Sequence, residues 1–129
     1  MPSRPSPARD IPEERVRQAL LAHFRSLGVP PACTRSEFPL SSLDPLVRDR
    51  ADVVVFRAEG DAMVPVLLAE CKAPDVPLTE SVFAQVRRYQ RLLPAPWIVV
   101  TNGRVLRSWR LRDGAWNEET LPPWEAMKA

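Results

Sequence analysis

The chain reads VPVLLAECKAP at residues 64–74, TESVFAQVRRYQRLLP at 79–94 and PWIVVT at 96–101. The first stretch is a short apolar run closed by proline, which predicts a buried strand over Val64 to Glu70. In the second, Thr79 stands where a helix cap belongs. Val82, Phe83, Val86, Tyr89, Leu92 and Leu93 fall on one apolar side, and Pro94 stops the helix. The third stretch is a second β-branched run, predicting a strand from Pro96 to Thr101. Strand, helix and strand in that order make a crossover unit, so the two strands run parallel.

Outward from that unit the signals are those of an antiparallel sheet. Ala51 to Phe56 is another buried strand, joined to the strand at 64–70 through Glu59-Gly60-Asp61; a connection this short predicts antiparallel neighbours. On the other side Asn102-Gly103 predicts a tight turn and Val105 to Leu111 a returning strand, with a further hairpin at Asp113-Gly114. Upstream, a short strand is expected over Thr34 to Leu40. Before it, Asp10, Pro12 and Glu13 carry helix-start chemistry, and Val16, Leu20, Phe24 and Leu27 form a stripe ended by Gly28 and two prolines, predicting a helix over residues 11–27. The fold class expected is α/β, a mixed sheet flanked by helices, without internal repeats.

A length of 129 residues with 45% hydrophobic residues suits one globular domain. That domain is assigned to residues 10–129, and the Pro-, Ser- and Arg-rich residues 1–9 to a disordered tail. No signal peptide and no apolar run of membrane-spanning length occurs, so no membrane partner is expected and the location expected is cytoplasmic. Cys33 and Cys71 are too few and too far apart for a disulfide framework or a zinc site. A net charge of +2 does not by itself announce a nucleic-acid binder. The choice of base is more informative: sixteen of the eighteen basic residues are arginine, and the only lysines are Lys72 and Lys128. An internal lysine kept in so arginine-rich a chain points to a site wanting a compact, titratable ammonium, with chance retention as the rival. No Ser-His-Asp or Cys-His arrangement and no Gly-rich phosphate loop is apparent, and His23 reads as structural. The four tryptophans, Trp97, Trp109, Trp116 and Trp124, read as core or interface.

The chemistry is concentrated where two strands should meet. Asp52 opens one buried strand, and Glu70 and Lys72 close its expected antiparallel neighbour. Alternation puts Glu70 and Lys72 on one face and turns Cys71 the other way. Ionisable groups at the ends of apolar strands are costly unless they pair or bind metal. Oxygen ligands of this kind suit Mg²⁺ or Mn²⁺, held by Asp52 and Glu70 with the Cys71 carbonyl as an added ligand. Lys72 then orients a water or stabilises the transition state of phosphodiester hydrolysis. A structural ion pair between Lys72 and either carboxylate is the bland alternative.

Four segments, Arg50-Ala51-Asp52-Val-Val-Val, Leu68-Ala-Glu70-Cys71-Lys72-Ala-Pro74, Gln85-Val-Arg87-Arg88-Tyr89 and Val99-Val-Thr-Asn-Gly103, together resemble the PD-(D/E)XK nuclease superfamily. Within it they resemble the N-terminal nuclease domain of the type I restriction enzyme R subunit, over about Glu13 to Gly103. The resemblance implies a restriction-endonuclease-like sheet, Mg²⁺ at Asp52 and Glu70, a catalytic Lys72 and an upstream glutamate. That glutamate is Glu13, unless Glu13 caps the helix and Glu14 takes its place. Gln85 and Tyr89 are similar to the Gln-x-x-x-Tyr of the RecB-like branch, which faces the active site; their spacing puts both on one helix face. Arg87, Arg88 and Tyr89 are the expected DNA contacts, with a solvated helix face as the rival for the arginines, and Arg91, Arg104, Arg107, Arg110 and Arg112 could join them. Ala51 departs from the proline that names the superfamily. The chain ends where an R subunit would continue into its motor, so ATP-driven restriction is not expected of it alone. The function expected is a Mg²⁺-dependent DNA endonuclease, restriction-like or acting on branched DNA, as a homodimer. The alternatives are a nuclease subunit of a larger restriction or repair assembly, or a non-catalytic nucleic-acid- or protein-binding module.

Overall fold

The computed structural model describes residues 7–129. In chain order it has α1 (Pro7–Ser26), β1 (Thr34–Pro39), β2 (Arg50–Glu59), β3 (Ala62–Cys71), α2 (Glu80–Gln90), β4 (Trp97–Thr101), β5 (Leu106–Arg112), β6 (Ala115–Glu118) and the single turn α3 (Trp124–Met127). The six strands form one sheet in the order β1-β2-β3-β4-β5-β6. Only β3 and β4 pair in parallel, Leu67 level with Trp97 and Cys71 with Thr101; every other pair is antiparallel. The crossover through α2 requires this, because a strand followed by a helix returns to the end from which it started.

Both faces of the sheet are covered, which is why its middle strands read as unbroken apolar runs. Val16, Leu20 and Phe24 of α1 pack with Val53, Val55, Leu67, Ala69, Trp97 and Val99, and the C-terminal Trp124 and Met127 close that layer. On the opposite face Val82, Val86 and Tyr89 of α2 pack with Val54, Leu68, Ile98, Val100 and Trp109. Trp97, Trp109 and Trp124 are buried and Trp116 half-buried. The arrangement is the restriction-endonuclease-like α/β fold. Among the described residues no helix is long and apolar enough to cross a membrane.

Details differ from the sequence reading. The expected tail over residues 1–9 lies outside the described residues up to residue 6, and α1 begins at Pro7 rather than at 11, so Pro12 sits inside the helix. Proline fits the first helical position, where its missing N–H would be unpaired anyway. Thr79 occupies the α2 cap position, but its hydroxyl bonds the Ser81 hydroxyl at 2.8 Å and caps no backbone N–H. Asn102-Gly103 belongs to a longer connection than a two-residue turn. The Asn102 Oδ1 accepts from the N–H groups of Arg104 and Val105, and its Nδ2 donates to the Val76 carbonyl at 2.9 Å. Asp113 and Gly114, with φ of 50° and 79°, make the tight hairpin the sequence predicts.

Gly103 has φ of 85°, and a Cβ there would lie 3.0 Å from the Val16 Cγ2 of α1. Gly60 also has positive φ, 59°, but open space around it. Gly103→Ala should therefore cost the roughly 1–2 kcal/mol of a left-handed residue plus the displacement of α1, and Gly60→Ala the backbone cost alone. Urea unfolding of the two variants checks this, the expected result being a larger fall in midpoint for Gly103→Ala.

Candidate active site

The β2–β3 register pairs Val53 with Ala69, so the next step places Asp52 level with Glu70. The backbone turns slightly there. Ala51 belongs to the α2-side cluster and Val53 to the α1-side cluster, so simple alternation slips across Asp52, and Glu37, facing it on β1, has φ of 51°. Asp52 Oδ2 accepts a 2.7 Å hydrogen bond from the Cys71 backbone N–H. A carboxylate so held is kept at the end of β3 by a charge-assisted bond.

Glu70 is buried, 8% exposed, on the face opposite Cys71. Its carboxyl is pushed up to about 9, first by burial, then by the Asp52 charge and by a hydrogen bond shared with Asp52; Lys72 pulls in the other direction. The Lys72 Nζ lies 3.6 Å from Glu70 Oε1, an ion-pair contact longer than a hydrogen bond. The backbone of Lys72 is fixed because its N–H donates to the Thr101 carbonyl of β4 at 2.9 Å. Burial above all, with the neighbouring carboxylates, pushes the Cys71 thiol up to about 12. Cys71 is therefore no nucleophile, and what it contributes is main chain.

Asp52 and Cys71 also line a cleft of about 400 Å³ under the start of α1, together with Glu13, Glu14, Arg15, Arg17 and Glu37. The bounds of α1 bear on the alternative between Glu13 and Glu14. Glu13 lies well past the first turn and cannot close a capping box. Glu14 is engaged by Arg17 and by Gln18, whereas Glu13 has no ion-pair partner among the described residues. On α2, Gln85 Nε2 donates to the Tyr89 hydroxyl at 3.0 Å. Tyr89 is buried, and burial pushes its phenol up, with the Glu70 charge adding to the shift. Arg87 and Arg88 are exposed, Arg87 lying over the Phe83 ring at 5.8 Å. Of the more distant arginines, Arg107 and Arg112 are taken by Glu118 and Glu119 at 2.9 and 2.7 Å.

Arg17 is the residue lining this cleft that the sequence reading missed. It stands four residues after Glu13 on α1, and i, i+4 spacing from a suspected site glutamate was the available signal. Among the described residues no three His, Cys, Asp or Glu side chains form a group able to hold a metal alone. The Asp52–Glu70 pair nevertheless suits one. Two carboxyls in contact, one with its proton held by burial and its neighbour's charge, are a donor set that a hard divalent cation relieves, and Mg²⁺ takes one or two carboxylates and keeps waters.

The profile of the family described as type I restriction enzyme R protein N terminus matches residues 12–122, from the first half of α1 past the end of β6. No curated protein and no solved structure matches the chain.

The raised Glu70 carboxyl has a consequence for stability in the absence of divalent cations. Its proton is held more tightly in the folded chain, up to about 9, than at the ordinary value of 4.5. The stability this contributes is complete below 4.5 and is lost as pH rises toward 9. Thermal melts in chelator across that range should show a falling midpoint for the unaltered chain and a flatter profile for Glu70→Gln; parallel profiles would contradict the assignment.

Proposed function

The chain belongs to the family of type I restriction enzyme R protein N-terminal regions, and from that premise we propose that it hydrolyses DNA phosphodiester bonds as a divalent-cation-dependent endonuclease. The observation that carries the reading is the meeting of Asp52, Glu70 and Lys72 at the adjoining ends of β2 and β3. Asp52 and Glu70 are the residues that would hold Mg²⁺ or Mn²⁺, with the Cys71 carbonyl as a further ligand. When bound, such a cation polarises a phosphodiester oxygen and lowers the pKa of water. Lys72, fixed at its backbone by Thr101, presents a compact positive charge to the phosphate as negative charge develops there. Gln85 and Tyr89 hold each other on the α2 side and orient the strand of DNA toward Glu70. Arg87 and Arg88, exposed on the same helix, meet its phosphates. Glu13, at the cleft and without an ion-pair partner among the described residues, completes the acidic side of the site.

Family membership favours one further reading, in which the chain supplies cleavage to a larger restriction assembly whose specificity lies in another subunit. Either way, cutting both strands of a duplex is most direct with two related sites, and we place them in a homodimer. Light scattering on a protein that cuts both strands should give twice the chain mass, and a monomer that does so at every concentration contradicts the pairing.

Cleavage of duplex, single-stranded and branched DNA with Mg²⁺ or Mn²⁺ tests the activity. Lys72→Ala should lower the rate about 100- to 1,000-fold while melting and DNA binding change little, because its contact matters during reaction. Asp52→Ala should abolish cleavage and leave DNA binding without metal equal or tighter, as one repulsive charge is gone. If Lys72 and Glu70 form only a structural pair, Lys72→Ala instead lowers the melting temperature of a parent that cuts nothing. A binding module without chemistry would lose only about one phosphate contact.

A further inference from the structure

Arg17 sits in the wall of the Asp52 cleft, and one of its three guanidinium nitrogens makes a hydrogen bond to a described residue. Its Nη2 bonds Glu14, one turn back on the same helix. Its Nη1 is 3.6 Å from Glu37 Oε1, beyond hydrogen-bond length, and the Arg17 Nε is sealed from the surface with no acceptor among the described residues. The side chain of Arg17 is 18% exposed and that of Glu37 is 64% exposed. A largely covered cation is thus paired across the cleft with a loose, solvated carboxylate, an interaction worth little by itself. Leaving the sealed Nε–H without an acceptor is costly. The same cleft carries Glu13, Glu14, Glu37 and Asp52 against Arg15 and Arg17, so among its lining residues the two arginines are what attracts a phosphodiester.

We propose that Arg17 is a phosphate-binding residue of this site, with Glu37 as the carboxylate that occupies its Nη1 until a nucleic-acid phosphodiester displaces it. The inference rests on the nuclease reading above. A DNA strand seated against Asp52 brings a non-bridging phosphate oxygen into the cleft that Arg17 lines, and a guanidinium matches phosphate better than a loose carboxylate at its rim. Exchanging Glu37 for phosphate gives Nη1, which meets Glu37 only at 3.6 Å, a hydrogen-bonded and charged acceptor. Glu37, on the edge strand β1 and mostly exposed, returns to water at little cost.

The test is anisotropy of a labelled DNA duplex in chelator over a series of salt concentrations, on the full chain, with Mg²⁺-dependent cleavage measured in parallel. Arg17→Ala should weaken binding and lower the slope of log affinity against log salt by about 0.9, the loss of one phosphate contact. Arg17→Lys should recover the slope. Glu37→Ala should tighten binding severalfold, because the competing carboxylate is gone. If Arg17 is only a strut between α1 and β1, Arg17→Ala and Glu37→Ala weaken binding and lower the melting temperature together, and the proposal falls. It falls equally if Arg17→Ala keeps the full salt slope. Should Arg17→Ala not fold, the Glu37→Ala arm decides alone: tighter binding supports the assignment, unchanged or weaker binding overturns it. A wild-type chain that binds DNA but never cleaves it counts against the nuclease reading and leaves the salt-slope result to judge Arg17.

Discussion

Two carboxyls are held against each other at the rim of an apolar sheet, and the rest of the site is arranged around that cost. Asp52 and Glu70 come together because the antiparallel register of β2 and β3 leaves them level where both strands end. Burial and the neighbouring charge keep Glu70 protonated far above the ordinary carboxyl range. Against this stands the Cys71 N–H, which anchors Asp52 with a bond to a charged group worth about 1.5–3 kcal/mol. A strand end is where such a bond is available, since a backbone donor past the last ladder pair has no strand carbonyl to meet. The charge cluster and the end of β3 therefore sit together for one reason.

The remaining parts are supplied from both faces of the sheet. The layer of α1 brings Glu13 and Arg17 to one side of Asp52, and the layer of α2 brings Gln85 and Tyr89 near Glu70 on the other. Such a division requires helices on both faces, and only the parallel β3–β4 crossover puts α2 opposite α1. The slip of alternation at Asp52, facing the positive φ of Glu37, lets one carboxylate at the strand rim serve the α1 cleft and the α2-side Glu70 at once.

Much of this was legible from the chain. The apolar runs at 64–70 and 96–101 and the proline-bounded helix between Thr79 and Pro94 determine the parallel pair, since a strand, a helix and a strand in that order make a crossover. Asp52, Glu70 and Lys72 were legible as a cluster because charges at the ends of apolar runs have few inexpensive explanations. What stayed hidden depends on tertiary contact. The start of α1 at Pro7 could not be read from a segment where Asp10, Pro12 and Glu13 offered a competing start. Arg17 looked like any solvent-facing arginine beside an apolar stripe, and only the approach of β1 gives it Glu37. The long connection at Asn102 also escaped the local turn signal, because the partner of its Nδ2 is Val76, far away in sequence.

That Asn102 contact explains why Lys72 holds its place on a segment that has already left the sheet. Beyond Cys71 the chain runs to Glu80 without regular structure. A lysine on such a stretch would ordinarily sweep a wide volume, which favours solvation over pairing. Two ties prevent this. The Lys72 N–H is bound to Thr101, and Val76 is held by the side chain of the next residue, Asn102, while its own N–H returns to Ala73. Both ties come from the end of β4. The parallel neighbour of β3 thus does more than complete the sheet: by reaching just past the last residue of β3, it fixes the backbone carrying the one ammonium that faces Glu70. An antiparallel neighbour would place the start or the middle of a strand there, with its polar groups already committed to the ladder. The topology read first from the sequence is therefore also what positions the Lys72 ammonium beside Glu70.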